Sequence, residues 1–265
     1  MPIGPARMPL LDHLGELRRR MTIVVVSLLA ATIVLYFAAP VIVDILKEPI
    51  RPYLQPGEDL SLLGSLSGFS IKFGVALRSA IIMCTPMILW QILAFFLPAL
   101  KPKERKWVVP TIFAAVALFF IGLIFCYFII APAAFEWLIE ESRSVAHVIP
   151  ELKDYIDIEI LLMIGFGIGF ELPLIVFYLA VFHIVPYASF RAAWRYIYVI
   201  MLVVSASVTP DASPVTLMFM YAAMLSLYEI SLLVTRLIIV MREGKAGLTG
   251  SRLDFLKSDD EDEGE

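Results

Sequence analysis

An all-α protein that crosses a membrane six times, with both termini on the cytoplasmic side, is what this sequence predicts, on three observations. The first is composition: 60% of the 265 residues are hydrophobic and 17% charged, with a mean hydropathy of +0.86. Soluble domains are nearer half apolar and a quarter charged, and a globule of this size could not hide the excess. The second is that the apolar residues fall in uncharged runs of helix-spanning length. The third is that Lys and Arg collect in alternate connecting segments. Soluble enzyme, nucleic-acid binder and disulfide-stapled secreted domain are set aside together. Cys84 and Cys126 lie in apolar runs without CxxC or metal-ligand spacing, so no disulfide framework is implied.

The elements follow in chain order. Leu10, Leu14, Leu17 and Met21 share one helical face, while Asp12, Glu16 and Arg19 project elsewhere. This is the pattern of an interfacial amphipathic helix over residues 1–20 that feeds the first span. Residues 21–43 are 23 uncharged positions, against the roughly 20 that a helix needs to cross hydrocarbon. A cleaved secretory signal is not expected, because the run is too long and Pro40 follows Ala38-Ala39. Residues 75–97 form a second span interrupted only by Arg78, read as snorkelling from near the outer end. Residues 108–135 form a third and residues 160–182 a fourth, in which Glu171 is the one ionisable group.

Two shorter runs, 197–208 and 213–228, flank Thr209-Pro210-Asp211. Twelve to sixteen residues reach roughly 18–24 Å against a core of about 30 Å. Either they thin the bilayer or they form a re-entrant hairpin turning at Pro210. Two short spans are favoured, since Asp211 would be costly at a hairpin tip inside hydrocarbon. Helices rather than a barrel are expected, because no ten-residue alternation is present and an open sheet edge is not tolerated in lipid.

The connections differ in character. Residues 44–71 are punctuated by Pro49, Pro52, Pro56, Gly57, Gly64 and Gly68, a turn-rich segment that keeps apolar residues to pack. Residues 136–159 carry seven acids against two bases and read as short amphipathic helix and loop. Fifteen of the 21 Lys and Arg fall before the first span, after the second, after the fourth and after the last, which puts those segments inside. The membrane body is thus residues 21–240, and residues 241–265 form an acidic cytoplasmic tail expected to be disordered. Residues 254–265 hold seven acids and one lysine, so the chain's formal −4 conceals a body at +2.

Few side chains stand out as candidates for chemistry. Glu16 and Glu104 are acids set among bases on the same cytoplasmic surface: Arg18, Arg19 and Arg20 follow the first, and Lys101, Lys103, Arg105 and Lys106 surround the second. One reading makes Glu16 an i,i+4 partner of Arg20 and Glu104 a solvated ion pair worth about 0–1 kcal/mol. The other makes them acceptors for guanidinium groups of a ligand through bidentate, charge-assisted hydrogen bonds. Glu171 follows Gly165 and Gly169 in mid-span; an acid there either faces a cavity or bridges closely packed helices. Glu229 is read as a structural partner of Arg236, two turns further on. His13, His147 and His183 are far apart, and HExxH, GxSxG with a usable His, and P-loop patterns are missing. No enzyme, metal, nucleotide or other cofactor is expected.

These residues fall into a familiar order. His13-Leu14-Gly15-Glu16-Leu17-Arg18-Arg19-Arg20 resembles the HLxELRxR entry sequence of the TatC family, the core receptor of the twin-arginine protein translocase. Pro86, Gln91, Phe95, Pro98 and Leu100 match the spacing of its P-x-x-x-x-Q-x-x-x-F-x-x-P-x-L stretch, and Glu104-Arg105-Lys106 its E-R-[RK]. Phe170-Glu171-Leu172-Pro173, Arg195-Tyr196, Thr209-Pro210-Asp211 and Tyr228-Glu229 continue in the family's order. Several spaced motifs in one order are more specific than any one of them.

The resemblance implies six spans in a curved, glove-like arrangement in the cytoplasmic (inner) membrane. It implies binding of the twin-arginine signal peptides of folded cargo at the cytoplasmic face. Glu16 and Glu104 would meet the signal arginines, with Arg18, Gln91, Phe95 and Arg105 shaping the surface. Pro49 would be the first outer-loop proline, Glu171 the acid of the concave face, and Asp211 an outer-loop position. Partners would be TatA- and TatB-type single-span proteins in an oligomeric complex, with transport driven by the proton-motive force and no role for nucleic acid. The sequence departs from the family in lacking an acid around residues 66–69, in Ala222-Ala223 where a proline is common, in two extra residues between Asp211 and Glu229, and in Arg78. The alternative reading is a proton-coupled small-solute transporter relaying through Glu171. Folded, twin-arginine-tagged cargo that co-purifies would separate the two.

Overall fold

The computed structural model describes residues 10–54, 60–96, 108–145, 150–181, 185–209 and 213–243. They form helices α1 (Leu10–Leu46), α2 (Ser67–Phe96), α3 (Val108–Phe125), α4 (Ala131–Val145), α5 (Leu152–Gly169), α6 (Leu172–Val181), α7 (Tyr187–Ala192), α8 (Trp194–Val208) and α9 (Pro214–Glu243). No strand occurs among the described residues; Ser61 and Glu151 make one isolated bridge. Among the described residues, five stretches are long and apolar enough to cross a membrane: Leu14–Leu46, Ser67–Phe95, Val108–Val145, Leu152–Val181 and Pro214–Met241. The shorter α8 is the sixth apolar helix. The all-helical, six-helix membrane architecture is therefore the observed one.

Boundaries depart from the sequence reading in four places, each for a local reason. The amphipathic segment and the first span are one unbroken helix, because nothing between Leu10 and Leu46 stops it except Pro40, whose missing N–H leaves the ladder otherwise continuous. The third helix runs past residue 135 to Val145 through a π-helical turn at Cys126–Ile130, in which Ala131 N–H reaches back to Cys126 O. The segment 136–159, read as short amphipathic helix and loop, ends inside the long helix α5, with Asp154 in its first turn, where the helix dipole favours negative charge. The last helix is 30 residues, not a short span: Glu229 and Arg236 end the apolar run in sequence but do not end the helix. Of the two runs read as short spans, α8, at 15 residues, is the one that is short.

The chain divides into two compact units. The first comprises Met1–Ala117 and Leu138–Ile164. In it α1 packs along α2, and Ala39, Val75, Ala76 and Ala80 are completely enclosed; these small side chains let backbones come close. Tyr155 Oη donates to Leu46 O at 2.8 Å, satisfying a carbonyl at the end of α1 that has no helical partner. Ser61 N–H donates to Pro150 O at 2.9 Å and Leu152 N–H to Ser61 O at 3.0 Å, tying two connecting segments together. Pro49 is buried in the turn that follows α1.

The second unit comprises Leu118–Trp137 and Gly165–Glu265. Its glycines mark close approaches. A Cβ on Gly122 would lie 2.8 Å from Phe166 O, one on Gly167 2.6 Å from the Phe119 ring, and those on Gly165 and Gly169 would run into Val208 and Met220. The helix breaks at Phe170-Glu171 because Pro173 has no N–H to give and its ring displaces the preceding turn. Pro173 is then tolerated in the first turn of α6, where no donor is required. Ser231 Oγ donates to Pro173 O at 2.6 Å, which ties α9 to the break.

Candidate functional site

The first-unit site is built where α1 and α2 lie side by side. Glu16 and Arg20 are one turn apart on α1, with the acid N-terminal, the favourable order for a helical ion pair. Arg20 Nε donates to Glu16 Oε1 at 3.0 Å, and its Nη2 donates to the same oxygen. Arg20 Nη1 donates across to Gln91 Oε1 on α2 at 3.1 Å. The two charged side chains are 21% and 23% exposed, so the pair is largely withdrawn from water. Glu16 Oε2 is buried and accepts no hydrogen bond among the described residues. Three donors of one guanidinium thus converge on a carboxylate and an amide held by different helices.

Of the residues expected to shape this surface, the structure brings together Glu16 and Gln91. Phe95 lies half-buried one turn beyond Gln91 on α2, and Arg18 is exposed on α1. Arg18 O accepts from Thr22 Oγ1 at 2.9 Å. Glu104 and Arg105 fall outside the described residues, as does Asp211. The i,i+4 pairing of Glu16 with Arg20 is present; the contribution of Gln91 to it was not foreseen.

Three further polar groupings went unrecognised in the sequence. Arg78 does not simply snorkel. Its Nη1 pairs with Asp157 Oδ1 on α5, and Lys153 Nζ lies 3.4 Å from Asp157 Oδ2. A lone base in an apolar run and an acid-rich segment downstream were the available cue. Glu159, one of the acids of that segment, is fully enclosed on α5 in line with the buried Tyr155, Leu162 and Phe166. Its oxygens have no well-formed hydrogen bond among the described residues. The polar group it approaches is Tyr155, whose hydroxyl is already given to Leu46. The spacing 155, 159, 162, 166 was the legible signal, since it sets the acid on the apolar stripe.

The third grouping replaces the expected Glu229–Arg236 pair. Arg191 Nη1 donates to Glu229 Oε2 at 2.8 Å and Oε1 at 3.1 Å, and Tyr198 Oη donates to Oε1 at 2.7 Å. The carboxylate raises the Arg191 guanidinium further above its ordinary range through that hydrogen bond. In the second unit Glu171 sits half-buried at the break after α5, with Oε1 buried and accepting no hydrogen bond among the described residues. No group of three or more His, Cys, Asp or Glu side chains placed to hold a metal occurs among the described residues.

Residues 12–222 match the family described as TatC, Sec-independent protein translocase protein. A tatC-like protein, ycf43, of Porphyra purpurea is 32% identical over 232 residues, spanning 86% of this chain and 88% of its own. The Sec-independent protein translocase protein TatC of Aquifex aeolicus is 32% identical, spanning 87% of this chain and 95% of its own. Among solved structures, a crystal structure of a twin-arginine translocase receptor, TatC, superposes with a TM-score of 0.73 at 29% identity, covering 85% of this chain and 98% of that one.

Proposed function

Since this chain belongs to the TatC family of Sec-independent protein translocase proteins, we propose that it is the signal-peptide receptor of a twin-arginine translocase. In this reading Glu16 and Glu104 accept the two arginines of a signal peptide at the cytoplasmic face of the inner membrane, where both termini lie. Gln91, Phe95, Arg18 and Arg105 shape the surface. TatA- and TatB-type single-span proteins complete an oligomeric complex that exports folded cargo at the expense of the proton-motive force. Pro49, Glu171 and Asp211 serve the outer loops and the intramembrane face.

The observation that carries the reading is the seat formed by Glu16 and Gln91, which already holds one guanidinium by three hydrogen bonds. A carboxylate at that place is matched to the planar fork of arginine. The test is photocross-linking of a twin-arginine signal peptide to the membrane-inserted protein. Glu16→Ala and Glu104→Ala should each weaken the cross-link several-fold while membrane insertion is retained. Unchanged cross-linking in the double variant would refute the assigned site.

A further inference from the structure

We propose that Arg20 is an internal competitor for the ligand seat: it occupies Glu16, and a ligand guanidinium binds by displacing it. The proposal rests on the receptor reading above.

The geometry supports displacement over permanent bracing. Arg20 directs Nε and Nη2 at a single oxygen of Glu16, and Oε2 is left buried and unfilled among the described residues. A guanidinium approaching freely can place two parallel N–H groups on both carboxylate oxygens, the stronger fork-to-fork arrangement. Arg20 does not, since both of the N–H groups it gives to Glu16 fall on Oε1. Among the described residues the incumbent therefore leaves Oε2 open, and an incoming arginine fills it. The two cannot share Glu16, since like charges at contact repel. Once displaced, the Arg20 guanidinium returns to water beside Gln91.

An incumbent of this kind multiplies the dissociation constant of every ligand that uses the seat by the same factor. For a pair with about a fifth of its side-chain surface exposed, that factor is about two- to sixfold. Because Glu16 is shared by all occupants, the incumbent changes affinity without changing the preference for arginine over lysine.

The experiment measures binding of a fluorescent synthetic twin-arginine peptide, and of its lysine–lysine counterpart, to the full chain in nanodiscs. Arg20→Met keeps the aliphatic stem and removes the donors; it should tighten both peptides by about two- to sixfold and leave their ratio unchanged. Arg19→Met removes the same charge from the adjacent exposed position and gives the size of a general electrostatic effect, which Arg20→Met must exceed. Glu16→Gln weakens binding, and in that background Arg20→Met should add nothing. Weaker binding by Arg20→Met, or a gain no larger than that of Arg19→Met, would overturn the competitor. Unchanged affinity in Glu16→Gln would overturn the receptor reading instead. Should Arg20→Met fail to fold, Arg20→Lys, which keeps the charge but can give only a point contact, should tighten binding to a smaller degree; no tightening would again count against the competitor.

Discussion

Replacing Gly122 by alanine puts a methyl group where the chain has no room for one. The new Cβ would lie 2.8 Å from Phe166 O and 3.1 Å from Gly167 Cα. Both are backbone atoms, which cannot step aside by changing rotamer. Overpacking of this kind costs about 1–3 kcal/mol, with a fixed obstacle toward the upper end. Alanine returns about 1 kcal/mol of helix propensity, so the net loss is roughly 1–2 kcal/mol. At about 2–4 °C per kcal/mol for a chain of this size, the midpoint should fall by about 2–8 °C. Gly169→Ala is the matched control, because its Cβ meets the flexible end of Met220. That variant should stay within about 1 kcal/mol of the parent. Cys126, fully buried one turn beyond Gly122, supplies the assay: with Cys84 replaced by alanine, a thiol-reactive fluorogenic maleimide reports opening of the second unit on warming. A Gly122→Ala midpoint at or above the parent's, or a larger loss in Gly169→Ala, would refute the close-approach argument.

Other polar and buried groups give further expectations. A double-mutant cycle of Arg78→Leu and Asp157→Leu should show coupling of about 0.5–2 kcal/mol in thermal unfolding, since both side chains remain about a third exposed; additive losses would mean the pair is incidental. Glu229→Gln keeps an acceptor for Tyr198 but loses the charge facing Arg191, and should cost less than about 1 kcal/mol by the same assay because the pair is well exposed. Glu159→Gln preserves volume and should unfold within about 1 kcal/mol of the parent, whereas Glu159→Ala opens a cavity and should lose about 2–4 kcal/mol. A larger loss in the glutamine variant than in the alanine variant would show that the charge, rather than the packing, is what the fold uses.

The six apolar helices were legible because a run without charges carries its own signal, independent of neighbours. What the sequence could not supply was the partner of each polar residue when that partner lies on another helix. Arg20 found Glu16 on its own helix, four residues away, and that pairing was readable. Gln91, 71 residues further on, was not. Glu229 was matched to Arg236 by the same local logic, yet its partners Arg191 and Tyr198 come from α7 and α8. Helix ends were misread for a related reason. A charge ends an apolar run but not a helix, so α9 continues through Glu229 and Arg236. Asp154, Asp157 and Glu159 all belong to α5, and Glu159 faces inward.

The pairing of Arg78 with Asp157 bears on how the chain is made. Synthesis proceeds from the N-terminus at about 5–20 residues per second. The 79 residues between the partners therefore take about 4–16 s to appear. During that interval α2 enters the bilayer with a guanidinium whose folded-state partner, Asp157, has not yet been made. Insertion of an arginine costs about 2.5–3.5 kcal/mol at mid-span and less toward an end. Among the five long helices α2 is also the least apolar. Its early residence in lipid thus depends on α1, already delivered, along whose length it packs. Asp157 is made later and pairs with that charge in the folded chain, so on this reasoning the helix must tolerate an unpaired arginine before the fold can fix it.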